Sequence, residues 1–241
     1  MSKIFAHRGF SGKYPENTML AFKKAVEIGC DGIELDVHFT KDKEIVIIHD
    51  EEIDRTTDGK GFVKDYTYEE LCKFNAYGKF KDQYDFQRIP TLREYFELVK
   101  DVPGFVTNIE LKTGVFEYIG IENAVIDMVK EFSLEDRVIL SSFNHFTIMR
   151  CKEIDPDIKT GFLTESWIID MGEYTAKHGV DCVHPMHYNI TPEHYAEMRE
   201  HTRQVNTWTV NEYEDIKRLS DMGVDILIGN YPDRMVELLR K

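Results

Sequence analysis

Short apolar runs alternate along the chain with segments whose apolar side chains recur every three or four residues. The runs "KIFAH", "GIELDV", "FVTNIEL", "RVILSS", "IKTGFL", "DCVHP", "VNTWTV" and "DILIG" predict eight strands. Between and after them "ENTMLAFKKAVEIG", "YIGIENAVIDMVKEF", "NHFTIMRCKEI", "IIDMGEYTAKHG", "TPEHYAEMREH", "NEYEDIKRLSDMG" and "DRMVELLRK" carry the helical period, several closing on Gly and two opening on Asn. The regular alternation breaks once. Residues 41–90 hold an additional apolar run, "EIVIIHD", a polar turn, "DRTTDGKG", and a helix near "TYEELCKF", before "TLREYFELVK" leads into the third strand. Eight strand-helix units predict an α/β chain folded as a (β/α)8 TIM barrel, with an open doubly wound sheet as the alternative. Residues 50–88 read as a small insertion after the second strand, too poor in apolar residues to form a core of their own, so residues 1–241 are expected to form a single domain.

Composition narrows the class. With 241 residues and 42% apolar side chains the chain is long enough for a sizeable core. No apolar run approaches eighteen residues and the N-terminus lacks a secretory pattern, so the expectation is a cytoplasmic protein without membrane insertion. Cys30, Cys72, Cys151 and Cys182 lie far apart and suggest neither a disulfide framework nor a thiolate zinc site. The formal charge of −14 argues against nucleic acid and anionic membrane as partners, leaving an anionic small molecule if cations are gathered locally.

Charge inside the apolar runs is the chemical signal. In a barrel the active groups sit at the carboxyl ends of strands, where the chain places His7, Glu34, Asp36, Glu110, Lys112, Ser141, Ser142 and Trp208. Side chains alternate along a strand, so Glu34 and Asp36 share the inward face while Ile33, Leu35 and Val37 face the helices. Asn108, Glu110 and Lys112 follow the same parity. Three converging carboxylates repel one another unless a divalent cation joins them, and a set without Cys favours Mg²⁺, Ca²⁺ or Mn²⁺ over zinc. A buried ion network with Arg8 and Lys112 is the plainer alternative, disfavoured because two separate strands repeat the pattern. His7 and His49 form a proton-transfer pair suited to phosphodiester or ester cleavage. Arg8 and Lys112 supply fixed positive charge for a phosphate. A structural role is assigned to His38, His145, His178, His187, His194 and His201, and to the two serines, which lack a nucleophile motif; His184 is intermediate.

The blocks "AHRGFSGKYPENT", "GIELDVHFTKD" with "IVIIHD", "RTTDGKG", "IPTLREYFEL", "NIELK", "LSSFN" and "TWTVN" resemble, in this order, the glycerophosphodiester phosphodiesterases of the bacterial cytoplasmic type, from Ile4 to about Pro232. The resemblance implies a TIM barrel that hydrolyses glycerophosphodiesters to sn-glycerol 3-phosphate and an alcohol. It also implies His7 and His49 as the acid/base pair, Glu34, Asp36 and Glu110 as ligands of one divalent cation, and Arg8 and Lys112 on the phosphate. Phe143 and Trp208 would line the glycerol or the leaving group. The last strand departs from the family's Ile-Thr-Asp-x-Pro ending, with Gly229 and Asn230 at the Thr and Asp positions, a change expected to leave the catalytic residues untouched. The alternatives are a phosphodiesterase acting on a lipid, such as a lysophospholipase D, which would show an exposed apolar rim or an amphipathic surface helix, for which the aromatics of the insertion could serve, and a non-catalytic glycerophosphodiester sensor, which would have lost a His or a ligand. The role of Asp50 is left open between orienting His49 and capping the turn.

Overall fold

The computed structural model describes residues 1–240. Nine strands form one sheet: β1 (Lys3–His7), β2 (Gly32–Phe39), β3 (Ile45–Ile47), β4 (Val106–Leu111), β5 (Val138–Ser142), β6 (Lys159–Thr164), β7 (Cys182–Pro185), β8 (Gln204–Thr207) and β9 (Ile226–Gly229). Around them run α1 (Met19–Glu27), α2 (Tyr68–Leu71), α3 (Leu92–Val99), α4 (Ile121–Glu131), α5 (His145–Ile154), α6 (Met171–Lys177), α7 (Pro192–His201), α8 (Tyr213–Met222) and α9 (Pro232–Leu239). The expected last helix extends to Lys241, which lies outside the described residues.

Eight of the strands are parallel, and β1 pairs with both β9 and β2, closing the sheet into a (β/α)8 barrel. This closure excludes the open doubly wound sheet. Strand β3 lies outside the ring, antiparallel to β2. The outward residues of β2 and β4, among them Ile33, Leu35, Val37, Ile109 and Leu111, are buried with helical side chains such as Phe22, Phe96 and Val125 in the principal core. The helix starts are set by local chemistry. Thr18 accepts from the Ala21 N–H, and Thr91 and Glu94 form a reciprocal capping box on α3.

Strand β3 and the segment after it build a satellite cluster of Val46, Ile48, Ile53, Val63, Leu71, Ala76 and Ile89. The aromatics of that segment are largely engaged: Tyr84 donates to the Lys13 carbonyl at 2.7 Å and meets the rings of Tyr14 and Phe80, while Phe74 packs edge-on against Tyr66. The seventh barrel strand, β8, is shorter than its sequence pattern. It stops at Thr207, and Trp208 instead forms a single bridge with Met186 beyond the end of β7.

Candidate active site

The site begins at a tight turn after β1. Arg8 and Gly9 both have positive φ, 55° and 73°, and a Cβ at position 9 would lie 2.9 Å from Ala21 and Phe22, so only glycine fits. The turn directs the Arg8 N–H to Glu34 Oε2 at 3.0 Å. Register completes the floor: His7 lies opposite Glu34, Glu34 opposite Asn108, and Asp36 opposite Glu110.

Glu34, Asp36 and Glu110 retain 5%, 0% and 7% of their surface, and one carboxylate oxygen of each lies within 4.8 Å of the others. Their surroundings are asymmetric. Asp36 Oδ2 accepts from Asn17 Nδ2 at 2.8 Å, whereas its Oδ1 is buried without a hydrogen-bond donor. Lys112 Nζ donates to Glu110 Oε1 at 2.8 Å. Burial and then the Asp36 charge push the Glu34 carboxyl well above its ordinary value, and burial also raises Glu110. Burial opposes ionisation of Asp36 too, but His49, Arg8, Lys112 and Asn17 together hold it below the carboxylate range. An all-oxygen set with an orphaned buried oxygen and excess like charge fits a hard divalent cation.

The two imidazoles flank this floor with different partners. His7 Nδ1 lies 2.7 Å from Asn230 Oδ1, an acceptor, so the ring proton is on Nδ1 and the Nε2 lone pair is free, 3.8 Å from Glu34 Oε2. Burial, then the Arg8 charge, pushes the ring down to about 3. His49 Nδ1 donates to Asp50 Oδ1 at 2.6 Å, and its Nε2 faces Lys112 Nζ at 3.3 Å. Asp50 and Glu16 are both bound by Arg55, and Glu16 also takes Arg8 Nη1 at 2.8 Å, so one ion network ties the β1 turn to the segment after β3. Burial opposes ionisation of Asp50, but its bonds to His49 and Arg55 hold it below the usual carboxylate range. Arg8 Nε, buried 3.6 Å from Asp36 Oδ2, has no hydrogen-bond acceptor.

His7, Arg8, Glu34, His49, Asn108, Glu110 and Lys112 line one cavity of about 260 Å³, together with Phe143 and Trp208. Asp36 lies beneath it. His38 is set back: its Nε2 donates to the His49 carbonyl at 3.2 Å and its Nδ1 accepts from Tyr118 at 3.0 Å. His184 lies inside the barrel, accepting from Asn206 Nδ2 at 3.0 Å, and burial pushes it down to about 3. Contrary to expectation, the change at position 230 does not leave the imidazole pair untouched, because Asn230 Oδ1 accepts from His7 Nδ1 at 2.7 Å. Glu16, Asn17 and Arg55 stand within the blocks "PENT" and "RTTDGKG", but their partners are distant in sequence and no spacing rule assigns them a contact.

A barrel that gathers carboxylates, imidazoles and cations in one cavity at the carboxyl ends of its strands is built as an enzyme. Residues 7–234 match the model of the glycerophosphoryl diester phosphodiesterase family. A glycerophosphodiester phosphodiesterase of Caldanaerobacter subterraneus is 44% identical over 238 residues, covering 99% of this chain and 98% of the relative. A phosphodiesterase of Oleispira antarctica, solved in complex with the product sn-glycerol-3-phosphate, superposes with a TM-score of 0.87 at 27% identity, covering 100% and 98% of the two chains. A glycerophosphodiester phosphodiesterase of Thermotoga maritima does so with a TM-score of 0.80 at 27% identity, covering 99% and 98%. The chain belongs to the glycerophosphoryl diester phosphodiesterase family. Its chemistry is glycerophosphodiester hydrolysis.

Proposed function

We propose that the protein hydrolyses small glycerophosphodiesters to sn-glycerol 3-phosphate and an alcohol, with His7 as base and His49 as acid and one divalent cation held by Glu34, Asp36 and Glu110. The supporting observation is that the two imidazoles expose their Nε2 sides to one cavity while their Nδ1 sides have unlike partners, an amide for His7 and a carboxylate for His49. Bound at the carboxylates, Mg²⁺ or Ca²⁺, with Mn²⁺ also accommodated, would offset charge developing on the phosphoryl oxygens. Arg8, with its free Nε, and Lys112 hold the phosphate. Neutral His7 takes the proton of the substrate's 2-hydroxyl as that oxygen attacks phosphorus, and His49 gives a proton to the departing alcohol. Water then opens the cyclic phosphate with the two roles reversed. Phe143 and Trp208 flank the organic part of the substrate.

The small-substrate reading is favoured over a lipid one because most aromatics of the insertion pack against the protein, Phe86 being the exposed exception. A sensor role has no support, since both His and all three carboxylates are present. The single domain over residues 1–241 belongs to the same proposal. Incubation with glycerophosphocholine or lysophosphatidylcholine, with Mg²⁺, Ca²⁺ or EDTA, tests it. Metal-dependent release of glycerol 3-phosphate from the first substrate is expected, and lysophosphatidic acid as the main product would favour the lipid reading.

A further inference from the structure

The catalytic cavity has two walls of opposite character. Arg8 and Lys112 stand over the carboxylate floor, whereas the far wall is Phe143, Leu163 and Trp208 with a single carboxylate, Glu165, on the loop after β6. Phe143 and Trp208 meet edge to face, 85° apart with centroids separated by 5.5 Å. The indole is fixed by its Nε1–H, which donates to the His184 carbonyl at 2.9 Å. The Glu165 backbone carbonyl accepts from Asn189 Nδ2 at 2.7 Å, tying its loop to the segment after β7. Among the described residues no Lys, Arg or His pairs with the Glu165 carboxylate.

We infer that this wall is the leaving-group subsite for a quaternary ammonium alcohol of the choline type, and that Glu165 sets the preference. The inference rests on the activity proposed above. A quaternary ammonium cannot donate hydrogen bonds and is weakly hydrated, so an aromatic face with a nearby carboxylate suits it better than water-filled polar surface does. The separation of charge along the cavity matches a zwitterion, with the phosphate toward Arg8 and Lys112 and the ammonium toward Phe143, Trp208 and Glu165. A net charge of −14 acts in the same direction, since it repels diesters that carry only the phosphate charge.

The test compares kcat/KM for glycerophosphocholine and glycerophosphoglycerol, the second having an uncharged leaving group, in the unaltered protein, Glu165→Gln and Glu165→Lys. The unaltered protein is expected to favour the choline substrate. The choline-to-glycerol ratio should fall about fivefold in Glu165→Gln, the scale of a partly exposed ion pair, and further in Glu165→Lys, with most of the change in KM. Equal ratios in the three proteins overturn the subsite while leaving the activity intact. If the unaltered protein hydrolyses neither diester, the activity and the subsite fall together.

Discussion

The His7 and His49 rings are alike in type and differ in what faces Nδ1. Asn230 presents a neutral oxygen to His7, which burial already keeps uncharged, whereas Asp50 presents a carboxylate to His49, the proposed acid. Replacing either His by Ala is expected to lower kcat by about 10² to 10⁴, measured as glycerol 3-phosphate release, and near-normal turnover of a variant would remove that ring from the reaction. Asp50→Asn keeps the shape but offers an amide that can force the other ring tautomer. It should lower kcat at least about tenfold; an unchanged rate would reduce Asp50 to a turn residue. Adjacency made Asp50 visible in the sequence without giving it a role. Asn230 was hidden as a partner because it is 223 positions from His7, and only barrel closure brings them together.

At the level of elements, strand alternation carried most of what the sequence discloses. The inward set of β2 and β4 could be read from residues 33–37 and 108–112, because apolar and charged side chains take turns there and one face of each strand must pack on helices. What alternation does not encode is where a strand stops. Residues 205–210 keep an extended pattern, yet the ladder ends at Thr207 and Trp208 contributes its ring to the cavity. Close contacts between interior side chains are equally silent in the pattern. Gly161 on β6 is an example: a Cβ there would lie 2.4 Å from His184 Nε2, so the small residue on one strand makes room for the imidazole of the next. Gly161→Ala should destabilise the barrel by about 1–3 kcal/mol through overpacking, read from urea unfolding. Stability equal to that of the unaltered protein would mean that His184 shifts freely.

For the molecule as a whole, buried titratable groups link stability to solution conditions. His184 is pushed down to about 3 by burial from an ordinary value of 6.5, so between these values the unfolded chain binds a proton that the folded barrel refuses. Stability therefore rises with pH through this window and is lost on acidification, by about 2 kcal/mol at pH 5 for one such ring. Urea unfolding of His184→Gln should show a shallower loss between pH 7 and pH 5, and parallel profiles would mean that the ring charges in place.

The carboxylate floor would couple stability to an ion as well, if the proposed cation occupies it. Glu34 and Asp36 belong to one strand and Glu110 to its neighbour, so the unfolded chain has no comparable site and a cation that occupies the floor must stabilise the folded state by mass action. An ion at a hundred times its dissociation constant contributes about 2.7 kcal/mol. For a chain of this size that raises the melting temperature by roughly 5–10 °C. EDTA should abolish both the shift and the activity, and Asp36→Asn should shift little when Mg²⁺ or Ca²⁺ is added. The shift is compared within each protein because the substitution also relieves repulsion among the carboxylates. If the unaltered chain and Asp36→Asn respond equally to the ion, the stabilising cation binds elsewhere and the floor is a buried ion network completed by Arg8 and Lys112.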